Sequence, residues 1–195
     1  ILLLLAFFIP ITLSNDLSDH VPSILKNNPE HSHLLRLVAA ISEQGHFSKK
    51  KISNESSHLI LKNYLNTLDS QKIYFTQSDI NYFQRYRYKI DDALKNGNLE
   101  PIFDIFRIYR LRVQQRIEYS IKIINSTNSF LVDDEYDFSR ENVKWQKDVS
   151  ILDTSWEKKS KNDLLSILLA GQEINTAKKT LNKRYQKFLS RINNY

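Results

Sequence analysis

Apolar residues recur along this chain at intervals of three and four rather than two, which predicts an all-α fold of five or six helices. Leu34, Leu37, Val38 and Ile41 mark a short helix over 34–44, with Gly45 as its stop. Asn54 can cap the next helix, in which Leu59, Leu61, Tyr64, Leu65 and Leu68 supply the buried face; a break follows at Leu68-Asp69-Ser70. Thr76-Gln77-Ser78-Asp79 fits a capping box and starts a helix to about Asn96, with Ile80, Phe83, Tyr86, Ile90 and Leu94 on its face and Gly97 closing it. Asn98 opens the longest helix, with Pro101 in the first turn, where a missing N–H costs little. Its stripe is Ile102, Ile105/Phe106, Tyr109, Val113, Ile117, Ile121 and Ile124. Residues from about 125 to 153 read as one long irregular loop, acidic first and then carrying Trp145, which is expected to pack over the surface or to bind something. Ser155 to Ala170 is helical again and stops at Gly171, and a last helix carries Ile174, Ala177, Leu181, Tyr185, Phe188 and Ile192. There is no internal repeat.

The first residues break this pattern. Ile1 to Leu13 is an uncharged apolar run, shorter than the roughly 20 residues a bilayer-spanning helix needs and interrupted by Pro10. Thr12 and Ser14 give the small-residue spacing of a signal-peptidase site, so residues 1–14 are expected to be a signal peptide without its basic start, and 15–195 the helical domain. The chain has no methionine, and its last helix runs out in mid-pattern; both fit a piece cut from a longer context. The absence of cysteine excludes disulfides, thiolate metal sites and cysteine nucleophiles. The net charge is +6, and the stretch from Ile174 to Tyr195 alone holds six cations (Lys178, Lys179, Lys183, Arg184, Lys187, Arg191) and no acid. The remainder is therefore neutral, and the high pI describes one terminal segment, which weakens an argument for nucleic-acid binding from charge alone.

Candidate chemistry is sparse. His31 and His33 have no third ligand at a metal-binding spacing, His46 and His58 are isolated, and surface histidines in a linker are the expected reading. Asp133-Asp134-Glu135-Tyr136-Asp137 lacks the order of a calcium loop and reads as solvated. There is neither a G-x-S-x-G nor an S-x-x-K motif, and the three glycines each sit at a helix stop, leaving no phosphate-cradling loop. No catalytic, cofactor-binding or metal-binding residue is assigned, and no cofactor is expected. The run Tyr82-Phe83-Gln84-Arg85-Tyr86-Arg87-Tyr88-Lys89 interleaves rings and cations as single-strand binders do, but Phe83 and Tyr86 fall on the core face and Arg85 and Lys89 opposite. Arg107, Arg110, Arg112 and Arg116 are spread around their helix and read as solvated. The cationic face of the last helix is the better interaction candidate, for an acidic partner, anionic lipid or the rest of a longer protein.

One ordered set of residues carries a resemblance. His46-Phe47, Tyr64-Leu65-Asn66-Thr67-Leu68-Asp69 and Lys72-Ile73-Tyr74-Phe75-Thr76-Gln77-Ser78-Asp79-Ile80 open it. Leu94-Lys95-Asn96-Gly97-Asn98-Leu99 with Phe103-Asp104, then Asp137-Phe138-Ser139-Arg140 and Trp145, continue it. Trp156-Glu157-Lys158-Lys159-Ser160-Lys161 with Leu169-Ala170-Gly171, and Leu181-Asn182-Lys183-Arg184-Tyr185, complete it. The set resembles the N-terminal helical region of the bacterial tail-specific (carboxy-terminal processing) proteases, peptidase family S41. The resemblance implies a non-catalytic scaffold and adaptor-docking region of a periplasmic serine endopeptidase that processes or degrades proteins from their C-termini. It further implies PDZ and peptidase domains of the same full-length chain as partners, with a helical-repeat adaptor lipoprotein and protein substrates reached through the whole enzyme. The catalytic Ser and Lys of such an enzyme lie outside the matched residues. A free-standing secreted helical binding module, or the remnant of a truncated gene, is the alternative reading; a basic nucleic-acid binder is disfavoured by the signal-like start.

Overall fold

The computed structural model describes residues 25–45, 51–130, 135–140 and 143–194. The expected signal peptide, His46 and the pair Asp133-Asp134 lie outside these residues. Among them the fold is all-α, with seven α-helices and no strand. They are α1 (Pro29–Gly45), α2 (Asn54–Leu68), α3 (Gln77–Phe83), α4 (Ile90–Asn96), α5 (Glu100–Ser126), α6 (Val149–Leu169) and α7 (Ile174–Asn193). The long α5 is the spine against which α6 and α7 pack, while α4 lies between α1 and α2 at the other end. The stripe expected for α5 faces the core: Ile105, Tyr109, Val113, Ile117 and Ile124 are buried, and they meet Leu164 and Ile167 of α6 and Ala177, Leu181, Tyr185 and Ile192 of α7. No helix among the described residues is long and apolar enough to cross a membrane.

Several boundaries differ from the sequence expectation, each for a local reason. The single helix expected from Thr76 to Asn96 is broken after Phe83 by a 3₁₀ turn at Gln84–Tyr86. The N–H groups of Arg87 and Lys89 bond three residues back, to Gln84 and Tyr86, and the next amide, Ile90, donates to the Ser57 hydroxyl of α2 at 2.9 Å. The turn redirects the chain while Phe83 and Ile90 both stay buried, so the apolar spacing alone does not reveal it. Helix α2 begins at Asn54 with Ser53 in the cap position, without a side-chain cap, and Leu59 points outward. The long loop is shorter than expected, because α6 starts at Val149 rather than Ser155: Leu152 is already in the core and Asp153 pairs with Arg116 of α5.

Gly97 ends α4 in the left-handed region, with φ +69°, and α1 crosses directly over it. A Cβ there would stand 2.5 Å from the Ser32 carbonyl oxygen of α1. The Asn27 amide donates to the Gly97 carbonyl at 2.9 Å from the segment leading into α1. Substituting Gly97→Ala therefore combines a left-handed backbone penalty of about 1–2 kcal/mol with a clash against backbone. The expected result is a fall in thermal midpoint accompanied by loss of helical signal from α1. A melting curve unchanged from the parent protein would reject this close crossing.

Candidate functional site

The most highly constrained polar site is built where α2 ends. Asp69 follows the last turn of α2, its N–H donating to the Leu65 carbonyl at 2.9 Å, and its carboxylate is buried. One oxygen accepts the N–H of Ile73 at 2.8 Å, and the other accepts those of Tyr74 at 3.2 Å and Phe75 at 3.0 Å. The second oxygen also accepts the indole N–H of Trp145 at 3.0 Å, from the connection between α5 and α6. Within the same turn Lys72 takes φ +53°. The Ile73 carbonyl in turn accepts the buried indole N–H of Trp156 of α6 at 2.7 Å. Burial pushes the Asp69 carboxyl up from its ordinary value, against the lowering pull of the N–H bonds from Phe75, Ile73, Trp145 and Tyr74. The aromatic step that follows is locked by its rings. Tyr74 stands edge-on to Tyr109 at 5.4 Å and tilted on Trp156 at 5.5 Å, and Phe75 stands edge-on to Phe83 at 5.2 Å.

The expected capping box is present at the start of α3. Thr76 Oγ1 accepts the Asp79 N–H at 3.2 Å, and Asp79 accepts the Thr76 N–H at 2.9 Å. A guanidinium fork from Arg112 of α5 completes the site, with Nε at 3.0 Å and Nη2 at 2.8 Å from the two oxygens of Asp79. Burial works to raise the Asp79 carboxyl, but the Arg112 and Thr76 bonds outweigh it and hold the group below its ordinary value of 3.8. The neighbouring Gln77 N–H donates to the Gln146 carbonyl at 2.8 Å, which ties the α5–α6 connection to the same corner.

Three of the four arginines of α5 are not solvated as expected. Arg110 and Arg116 are buried: Arg110 donates to the Asn193 carbonyl at the end of α7 at 3.0 Å, and Arg116 pairs with Asp153 of α6. Arg107 is exposed as expected and pairs with Glu100 of its own helix at 3.3 Å, while Arg110, Arg112 and Arg116 fasten α5 to other helices. His31 and His33 are exposed on α1 rather than in a linker, and His58 is half-buried on α2. Glu135 and Asp137 are exposed; the Glu135 carbonyl accepts Lys158 Nζ at 3.2 Å, and the Asp137 side chain accepts the Ser139 N–H at 2.7 Å. Among the described residues no group of three or more His, Asp or Glu is placed to hold a metal ion. The aromatic–cation run pairs internally, Arg85 lying 3.6 Å over the Tyr82 ring and Arg87 5.1 Å over Tyr88, while Phe83 is core.

Two surfaces stand out as places for contact. A cavity of about 120 Å³ lies between α6 and the connection before it, with Phe130, Tyr136 and Leu165 among its walls and Lys158 and Lys161 at its edge. The larger feature is α1. Its residues Leu34, Leu37, Val38 and Ile41, the whole stripe that marked the helix, are 58, 47, 51 and 59% exposed. The fold instead uses the opposite side, where Ala39 is buried and Leu35 half-buried near α4. The sequence showed the stripe but not its direction, because Leu35 and Ala39 offered a second, weaker apolar edge on the same helix.

The described residues form a helical domain in which a buried aromatic corner and the long α5 tie the other helices together. The chain matches the family described as tail specific protease N-terminal domain over residues 37–195, and it belongs to that family. It is similar to the tail-specific protease of Haemophilus influenzae, with 27% identity over 150 residues, covering 76% of this chain and 22% of that protein. The chain thus spans under a quarter of the length of this relative.

Two predictions follow from the polar anchors. Asp69→Ala strips a buried acceptor from three backbone N–H groups and an indole, and should cost roughly 3 kcal/mol or more in urea unfolding. Trp145→Phe removes one donor and should cost about 1–2 kcal/mol; equal, small losses in both would reject the clamp. Asp79, with its folded value depressed, contributes stability that is present above 3.8 and is lost as pH falls through the folded value. Asp79→Asn should therefore be destabilised by about 1–3 kcal/mol at neutral pH. It should also show a flatter loss of stability than the parent below about pH 4, measured as urea midpoints across the acid range.

Proposed function

We propose that this domain is the non-catalytic scaffold and adaptor-docking region of a periplasmic serine endopeptidase that processes or degrades proteins from their C-termini. Family membership supports the placement within such an enzyme, and the outward apolar stripe of α1 carries the docking role. Four contiguous aliphatic side chains, each about half exposed, form a ridge on a helix whose other side rests on α4. That is the arrangement by which one helix lies in the apolar groove of a partner. On this reading the stripe receives a helical-repeat adaptor, and the PDZ and peptidase domains of the full-length chain supply substrate reading and catalysis.

The test uses the full-length protease carrying Leu37→Asp and Ile41→Asp. Adaptor capture and adaptor-dependent degradation should fall by about tenfold or more, as loss of a central apolar anchor does, while unassisted peptide hydrolysis and thermal midpoint hold. Unchanged adaptor capture would reject the assignment. A fall in unassisted hydrolysis or in thermal midpoint would instead place the stripe against the enzyme's own domains.

A further inference from the structure

The outer face of α7 concentrates positive charge in a way no other described helix does. Lys179, Lys183, Arg184, Lys187 and Arg191 are all exposed, and at 3.6 residues per turn they fall on one side of the helix. The opposite side, with Ala177, Leu181, Tyr185 and Ile192, is buried in the core, so the cations stand on a fixed support. From Lys179 to Arg191 the row is about 18 Å long, with Lys179, Lys183, Lys187 and Arg191 at steps of about 6 Å.

On α5 and α6 several cations are neutralised. Arg107, Arg112, Arg116, Lys159 and Lys161 each pair with a carboxylate. Helix α7 contains no acid, and among the described residues none of the five cations in the row has a carboxylate within ion-pair distance. Lys178 alone of the segment turns aside, donating to the Asn125 carbonyl at 3.0 Å. Arg184, Lys187 and Arg191 of the row, together with Phe188, Ser190 and Asn194, line an open groove of about 630 Å³.

We infer that this row is a docking rail for an acidic polypeptide segment, a surface separate from the α1 stripe and independent of the proposed function. The step of about 6 Å matches carboxylates at i, i+4 and i+8 of a facing helix, which rise by the same amount. The groove at the C-terminal end of the rail sets the Phe188 ring next to its cations, where such a segment can rest. A lipid surface fits less well, since every fully exposed residue of α7 is polar and none offers an apolar side chain to insert. A nucleic acid fits less well too, because a single narrow row engages few phosphates and exposes no stack of rings.

The experiment titrates the chain, at low and at physiological salt, with a fluorescein-labelled helical peptide bearing Glu at i, i+4 and i+8 and with its Gln-substituted twin. The acidic peptide should bind, weakening steeply with salt as exposed charge pairs do, and the Gln twin should not. Lys183→Glu with Lys187→Glu should weaken binding by about tenfold or more without moving the thermal midpoint. Lys62→Glu with Lys122→Glu, an equal charge change on other exposed faces, should leave it unchanged. Three results overturn the rail: no binding at low salt, equal loss in both double variants, or tighter binding to phosphatidylglycerol vesicles or duplex DNA than to the peptide.

Discussion

The fold depends on one buried carboxylate accepting four N–H groups. Where α2 ends, the chain must cross the interior as an irregular segment rich in aromatic side chains, and the backbone N–H groups of residues 73–75 lose water without gaining a ladder partner. Asp69 supplies acceptors for all three, and for the Trp145 indole as well. A carboxylate in that position is tolerable only because its oxygens are so fully bonded. The consequence is geometric. With the segment held, the Ile73 carbonyl meets Trp156, Tyr74 reaches Tyr109, and α2, α5, α6 and the long connection converge at one corner.

The same economy of polar anchors runs along α5. Arg110, Arg112 and Arg116 reach to α7, α3 and α6 respectively. A guanidinium suits these positions because its donors form a rigid fork and its charge is never lost. Each such contact fixes a helix orientation that apolar packing alone leaves less determined. At Asp79 the arginine and the helix cap act on one group, so the start of α3 is tied both to its own backbone and to the spine.

The helices of this domain were legible in the sequence because burial imposes a period near 3.6, and the stripes of α5 and α7 face the core as their spacing requires. What periodicity does not carry is backbone direction. Phe83 and Ile90 keep apolar spacing across a turn set by a distant hydroxyl, Ser57, so the break between α3 and α4 was invisible. Asp69 read only as a chain break, since three of its donors are backbone N–H groups, which carry no side-chain signal, and the fourth, Trp145, lies 76 residues away. Arg110 and Arg116 read as surface because their acceptors, the Asn193 carbonyl and Asp153, belong to other helices. The α1 stripe was found without its direction: the residues opposite it, Leu35 and Ala39, are fewer, yet they are the ones the body takes.

That choice leaves α1 anchored by little. Ala39 is its one buried apolar side chain among the described residues, and the contacts at Gly97 and Asn96 are mainly polar. Regions with so few buried contacts open at a free energy well below that of the whole domain. Helix α1 is thus expected to open before the rest of the domain, its amides exchanging with solvent sooner than those of α5. A ligand covering its outer face would oppose that local opening as well as global unfolding, and its affinity would be recorded first as added protection of the α1 amides.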